Sequence, residues 1–293
     1  MSIRESASMT RARLRAARRG GRGGCTLLCV PSPLFTLLTD FGAGSGYPAQ
    51  LKGVLLGALP DARLVDLSHE VPAYDVLAGA LLLEACLPWF PPDAIHVAVV
   101  DPGVGTARRA LCVEDPRGRR AVGPDNGLLT PLLGAGARAF EIVPGRAVPP
   151  PASATFHGRD LFVPAAIQLA RGAAPAALGP EVLDPLRLPW PRAERRGALL
   201  QGETLAADPF GNLVTSVHAE QLGGARVLAV EVAGAPAAWV RTFGEAARGA
   251  LVAYAGSGGR VEVAVREGSA AARLGAVRGL AVALHLDAAE TPC

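Results

Sequence analysis

Lysine is almost absent: Lys52 stands alone against 28 arginines, a bias that marks genomic base composition and by itself carries little chemistry. Clustered basic charge is also missing beyond the N-terminus. Residues 1–30 hold seven arginines and one glutamate, so taking their +6 from the formal net charge of +3 leaves −3 for the rest. A body of that balance has no electrostatic footprint for nucleic acid, and that class of partner is set aside. No window offers the ~20 uninterrupted apolar residues a membrane helix needs. The apolar stretch CTLLCVPSPLFTLL is broken by two prolines and has no small-x-small cleavage pattern, which argues against a signal peptide. The expectation is a disordered Arg-rich tail over residues 1–33 on a soluble, cytoplasmic protein.

Several kinds of site are missing too. The five cysteines (Cys25, Cys29, Cys86, Cys112, Cys293) contain no C-x-x-C pair, so neither a disulfide framework nor a zinc site is expected, and a reducing compartment fits. No His or Cys pair stands at metal-ligand spacing and the acids are dispersed, so no metal is expected. G-x-S-x-G is absent, which removes the common serine hydrolase elbow. TDFGAGSGY (39–47) is glycine-rich between a strand and a helix, but its G-x-G-x-G spacing and missing acidic partner are not a dinucleotide fingerprint. No fixed-period repeat is visible.

What is present is a chain that is 50% hydrophobic, ample for a packed core. From residue 34 short apolar runs alternate with helical ones: strands at 34–42, 62–68 and 94–103, helices at 48–59 and 75–89. Two strands follow, joined by PRGR, then GLLTPLLGAG as a short helix, the run FEIVP, and the helix LFVPAAIQLARG. This pattern predicts an α/β domain with a mainly parallel sheet flanked by helices. LDPLRLPWPRAERRG (183–197), with three prolines and no periodicity, divides it from short strands with turns every ten or so residues. The expected organisation is an α/β catalytic domain over 34–190 and a small all-β, barrel-like domain over 198–293.

In an open α/β sheet, ligands bind where loops and helix N-termini converge at the carboxyl ends of strands. Asp40 and Asp101 both fall there. Asp40 can shape a turn or accept both hydroxyls of a ribose. Asp101 in DPGVGTARR can likewise shape a turn, but Arg108 and Arg109 stand close enough to keep a carboxylate ionised and oriented, as a general base requires. His157 in FHGRD lies in a loop beside Arg159 and Asp160, whereas His96 reads as core and His69, His218 and His285 show no companions. GPDNGLLT reads as a turn into a helix. In ADPFGN, Phe210 can stack on a purine and Asn212 can bond a base edge, although a β-turn explains the pair nearly as well.

Taken in order, TDFG, DLSHEVPAYDVLAGA, VVDPGVGTARRA, GPDNGLLT, TFHGRD, DPFGN and VREGSAA resemble the motif series of the S-adenosylmethionine hydroxide adenosyltransferase family, relatives of fluorinating and chlorinating enzymes. The resemblance runs from about residue 34 to about 283 and leaves only the tail unexplained. It implies an α/β domain followed by a barrel-like, adenine-binding one, a homotrimer with sites at subunit interfaces, and S-adenosylmethionine as substrate without metal or further cofactor. It implies that Asp101, Arg108 and His157 form a catalytic triad that places one water in line with the C5′–sulfur bond. Asp40 matches a ribose-binding aspartate, and Phe210 and Asn212 match an adenine stack and amide contact. The backbone around Glu267 and Gly268 matches a loop on the purine edge, Asp208 and Ser257 match positions near the methionine group, and Tyr74 matches an aromatic residue over ribose or adenine.

Halogenating relatives replace the Asp, Arg and His region with hydroxyl-bearing residues, and the fluorinating ones insert a loop after the turn. This chain retains all three residues and passes from Arg109 to Gly123 in a short hairpin, which resembles the hydroxide class. It departs in GSGGR, where relatives often carry a larger residue after the serine. A halogenase making 5′-halo-5′-deoxyadenosine and a non-catalytic protein that only binds the cofactor or adenosine are the alternatives.

Overall fold

Strand β1 (Leu34–Thr39) shows how the first half is layered. Side chains alternate across a strand, so Phe35 and Leu37 enter one core while Leu38 enters another. Both are needed, because β1 is buried on both faces. The first core takes Leu51 and Leu55 from α1 (Tyr47–Ala58), and the second takes Ala80 and Leu83 from α2 (Val76–Cys86). The two crossover helices therefore cover opposite faces of one sheet. The computed structural model that carries these features describes residues 32–287; the Arg-rich segment with Cys25 and Cys29, and Cys293, lie outside the described residues.

The first sheet has the order β2-β1-β3-β5-β4-β6-β7, with β2 at Arg63–Ser68, β3 at Ile95–Val99, β4 at Ala110–Glu114, β5 at Arg120–Pro124, β6 at Arg138–Glu141 and β7 at Glu181–Val182. It is parallel from β2 to β5 and antiparallel through β4, β6 and β7. The chain leaves β1 toward β2 and returns to β3 on the other side, so the strand order reverses at the β1–β3 pair. GLLTPLLGAG provides only a single 3-10 turn, Thr130–Leu132. Its leucines bury without needing a longer helix. His96, buried in β3, shares a hydrogen bond with the Thr36 hydroxyl at 2.7 Å, and burial pushes its pKa down to about 4.

The second half closes into a seven-stranded barrel. Its ring runs β9 (Leu199–Ala207), β10 (Leu213–His218), β14 (Arg260–Val265), β13 (Leu251–Ala255), β12 (Ala235–Trp239), β11 (Val227–Val232) and β15 (Ala281–Leu286), which returns to β9. Closure leaves the ring without a free edge. A short β8 (Glu194–Arg196) attaches to β9 and occupies the end of the proline-rich stretch. Among the described residues no helix is long and apolar enough to cross a membrane.

Charged ties fix the barrel against the sheet. Glu84 of α2 accepts from Trp190 Nε1 at 3.1 Å and from Arg260 Nε at 2.9 Å, and the Arg260 side chain is only 4% exposed. Asp75 caps α2 through Ala78 N–H and also pairs with Arg278 at 2.7 Å. Removing Glu84 would leave the buried Arg260 guanidinium without its carboxylate, a change that typically costs about 3–5 kcal/mol, whereas the half-exposed Asp75–Arg278 pair contributes far less.

Candidate active site

Thr39 of β1 pairs in register with Val99 of β3, so Asp40 and Asp101 emerge side by side from adjacent parallel strands at the reversal point. Both line a cavity of about 390 Å³, together with Tyr74, Phe156 and His157. Arg108 stands behind its wall.

The turn after Asp101 brings Arg108 back onto it. Gly105 makes this possible, with φ +79°, a left-handed conformation that costs glycine little. Arg108 Nε lies 3.0 Å from each Asp101 oxygen, and Nη2 donates to Oδ2 as well. The same Nη2 lies 2.8 Å from His157 Nδ1. Arginine has only donors, so Nδ1 must accept, and the single proton of a neutral His157 sits on Nε2. Burial and then Arg108 hold the His157 pKa below its ordinary value, against the opposing pull of Asp101 and Asp160. The ring of fully buried Phe162 supports the guanidinium from 5.3 Å.

His157 precedes a π-helical turn, Gly158–Phe162, that runs into α3 (Val163–Ala170). Such a turn shifts the register of one helical turn and is frequent at functional sites. Arg159 and Asp160, which the sequence groups with His157, instead pair with each other at 2.6 Å and 2.9 Å, and Asp160 also accepts from Ser153 N–H. Arg109 is likewise turned away: it bridges buried Asp125 and exposed Asp184, each at 2.7 Å. Of the two arginines in DPGVGTARR, one serves Asp101.

Asp40, which lines the cavity, accepts from Tyr74 N–H at 3.0 Å through Oδ2. Tyr74 holds φ +66°, strained for a residue with a Cβ, and its side chain is 72% exposed. Three aromatic rings absent from the sequence prediction join the wall. Phe41, Tyr47 and Phe156 meet edge to face at 5.2–5.9 Å. Their signal was proximity, since Phe41 follows Asp40 and Phe156 precedes His157 in a chain only 5% aromatic.

The barrel residues assemble separately. Asp208 Oδ1 accepts from the backbone of Phe210 and Asn212, and Asn212 Nδ2 donates to its Oδ2 at 2.8 Å. Gly211 at φ +80° packs against Ser269, where a Cβ would stand 2.0 Å from the hydroxyl, and its carbonyl accepts from Ala271 N–H. This docks the Phe210 turn on the turn of Glu267 and Gly268, which leads into α4 (Ala270–Leu274). Glu267 has φ +57° and pairs with Arg248. Ser257 lies in the β13–β14 turn. Phe210 is 78% exposed, and none of Asp208, Phe210, Asn212, Ser257, Glu267 or Gly268 lines the cavity of Asp101. Asp208 borders a different cavity of about 510 Å³, between α2 and the barrel.

A reversing α/β sheet with a charged triad at its rim, joined to a closed barrel, defines a two-part architecture that known proteins share. Models of the S-adenosylmethionine hydroxide adenosyltransferase N-terminal and C-terminal domains match residues 35–179 and 202–283, and the chain belongs to this family. It is 45% identical over 257 residues to a protein of Thermus thermophilus named (R)-S-adenosyl-L-methionine hydrolase, covering 84% of this chain and 97% of that protein. A Salinispora tropica protein of the same name is 42% identical over 257 residues, covering 85% and 97%. The crystal structure of an uncharacterized conserved protein from Thermotoga maritima superposes with TM-score 0.79 at 30% identity, covering 86% of this chain and 99% of that one.

Proposed function

We propose that this chain is an S-adenosyl-L-methionine hydrolase that attacks C5′ with water and releases adenosine and L-methionine. The observation that carries the reading is the continuous Asp101–Arg108–His157 contact at the wall of a cavity that also contains Asp40. The leaving sulfonium departs as a neutral thioether and needs no acid, so the protein's task is to orient one water and take its proton. Neutral His157 offers Nε2–H as a donor and has no free acceptor nitrogen. The proton therefore passes to Asp101 as the water oxygen bonds C5′ and the C5′–S electron pair moves to sulfur. Arg108 holds the carboxylate in place until then through contacts to both of its oxygens.

Asp40 takes the ribose hydroxyls, and Tyr74 covers the nucleoside. The barrel, over residues 198–293, contributes Phe210 and Asn212 for adenine, the turn at Glu267 and Gly268 for the purine edge, and Asp208 and Ser257 for the methionine end, while residues 34–190 carry the chemistry. Because these two sets lie apart within one chain, and Phe210 and Tyr74 are both largely exposed, the reading includes a homotrimer in which the barrel of one protomer completes the cavity of the next. The name shared by the relatives supports the (R) epimer at sulfur as substrate.

The test is Asp101→Asn, which keeps the size of the side chain and one oxygen acceptor but removes the base. Turnover measured as adenosine release should fall at least about 100-fold. Calorimetric binding of S-adenosylmethionine should stay within about threefold, since ground-state contacts survive. Retained turnover in the variant would refute the assignment of the base, and absence of turnover in the parent protein would favour a binding role.

A further inference from the structure

The lone lysine is part of an ordered chain of contacts that ends beside Asp40. Lys52 of α1 donates to Asp66 Oδ2 at 2.6 Å. Asp66 Oδ1 lies 3.2 Å from His69 Nε2, within ion-pair distance but outside good hydrogen-bond geometry. His69 Nδ1 lies 2.8 Å from the Thr39 hydroxyl. Thr39 is fully buried and His69 is 6% exposed, whereas Lys52 and Asp66 reach the surface. The sequence gives no hint of companions for His69. Its hydroxyl partner is 30 residues away on a neighbouring strand.

Thr39 Oγ1 accepts from Phe41 N–H at 3.3 Å and shares a second hydrogen bond with His69 Nδ1. When the Thr39 hydroxyl donates in that bond, the imidazole proton lies on Nε2, facing the Asp66 carboxylate. Burial works to raise the Asp66 pKa, but Lys52 and His69 outweigh it and hold the carboxyl below its ordinary value. His69 also grips the same turn through its backbone, its carbonyl accepting from Gly42 N–H at 2.7 Å. Asp40 is thus bracketed: His69 holds Thr39 before it and Gly42 after it.

We propose that His69, oriented by Asp66 and Lys52, is a positioning residue that fixes the turn at residues 39–42 and aims the Asp40 carboxylate at the ribose of the substrate. Lysine suits the outer position, because a compact ammonium engages one Asp66 oxygen and leaves the other for His69, whereas a guanidinium fork takes both. Exposed ion pairs contribute little to stability, so Lys52 and Asp66 act here through geometry. The proposal rests on the reading that Asp40 binds the ribose of S-adenosylmethionine.

His69→Asn and His69→Gln separate positioning from bulk, since asparagine places its amide near the position of Nδ1 and glutamine near that of Nε2. Both are compared with the parent full-length protein by steady-state turnover of S-adenosylmethionine, calorimetric titration with adenosine, and melting temperature. Asp40 contacts are shared by ground and transition states, so their loss appears in KM and hardly in kcat. His69→Gln is expected to raise KM and the adenosine Kd about tenfold with kcat within about threefold, and His69→Asn to stay within about threefold of the parent in all three. Equal behaviour of the two variants, or losses that simply follow melting temperature, overturns the proposal. If His69→Gln fails to fold, Asp66→Asn decides: a KM raised several-fold at unchanged melting temperature supports the relay, and an unchanged KM overturns it. A parent protein that binds adenosine with this pattern yet releases no adenosine from S-adenosylmethionine would sink the hydrolase reading while sustaining the positioning role.

Discussion

At the scale of single residues, the division of labour in the triad follows from which atoms can donate. Arg108 has only donors and spends them on both oxygens of Asp101 and on Nδ1 of His157. His157 is therefore neutral when the contact is made, and a second proton on its ring would set two donors against each other. Because burial and Arg108 lower its pKa, the neutral form persists below the ordinary value of 6.5 as pH falls. The imidazole C2–H signal missing from a His157→Gln variant should titrate in the parent protein with a midpoint below 6.5; a midpoint above it would contradict the donor assignment. Asp101, Arg108 and His157 were legible as chemistry-bearing residues, but spacing alone left Arg108 and Arg109 equivalent and only the family resemblance pointed to Arg108. Only the turn decides which guanidinium faces Asp101 and which reaches Asp125.

At the scale of elements, the strand ends were readable because an apolar run that stops at an aspartate marks a sheet's carboxyl rim. β1 and β3 end one and two residues before Asp40 and Asp101. Helices were readable where apolar spacing was sustained, as in α1 and α2. What the pattern missed was short or non-local. α4 has five residues, β8 has three, and the π-helical turn before α3 differs from α-helix only in its hydrogen-bond register. In the antiparallel half of the first sheet only the β4–β5 hairpin was legible, from the short PRGR connection; the pairings of β6 and β7 were hidden, since periodicity does not reveal strand direction. His69 was overlooked because the residue it serves comes from another strand, so sequence neighbours gave no signal.

At the scale of the whole molecule, Glu84–Arg260 and Asp75–Arg278 lock the barrel to the sheet within one chain. That arrangement leaves Phe210 exposed and outside the cavity of Asp101. If neighbouring protomers supply the two parts of each site, Asp101→Asn and Phe210→Ala damage different parts and can complement each other. Each variant alone should be nearly inactive, while random coassembly after coexpression gives about a quarter of the sites two intact parts. Recovery near that fraction of parental activity is expected, and no recovery would mean that a single chain supplies the whole site.

Attack by water at C5′ makes the water oxygen the 5′ hydroxyl of adenosine. It is tested most directly by incubating the protein with S-adenosylmethionine in water enriched in heavy oxygen, with and without chloride, and analysing the products by mass spectrometry. Adenosine labelled at the 5′ oxygen, in equal amount with L-methionine and irrespective of chloride, is the predicted result. Chloride-dependent 5′-chloro-5′-deoxyadenosine, or substrate left intact despite binding, would contradict it.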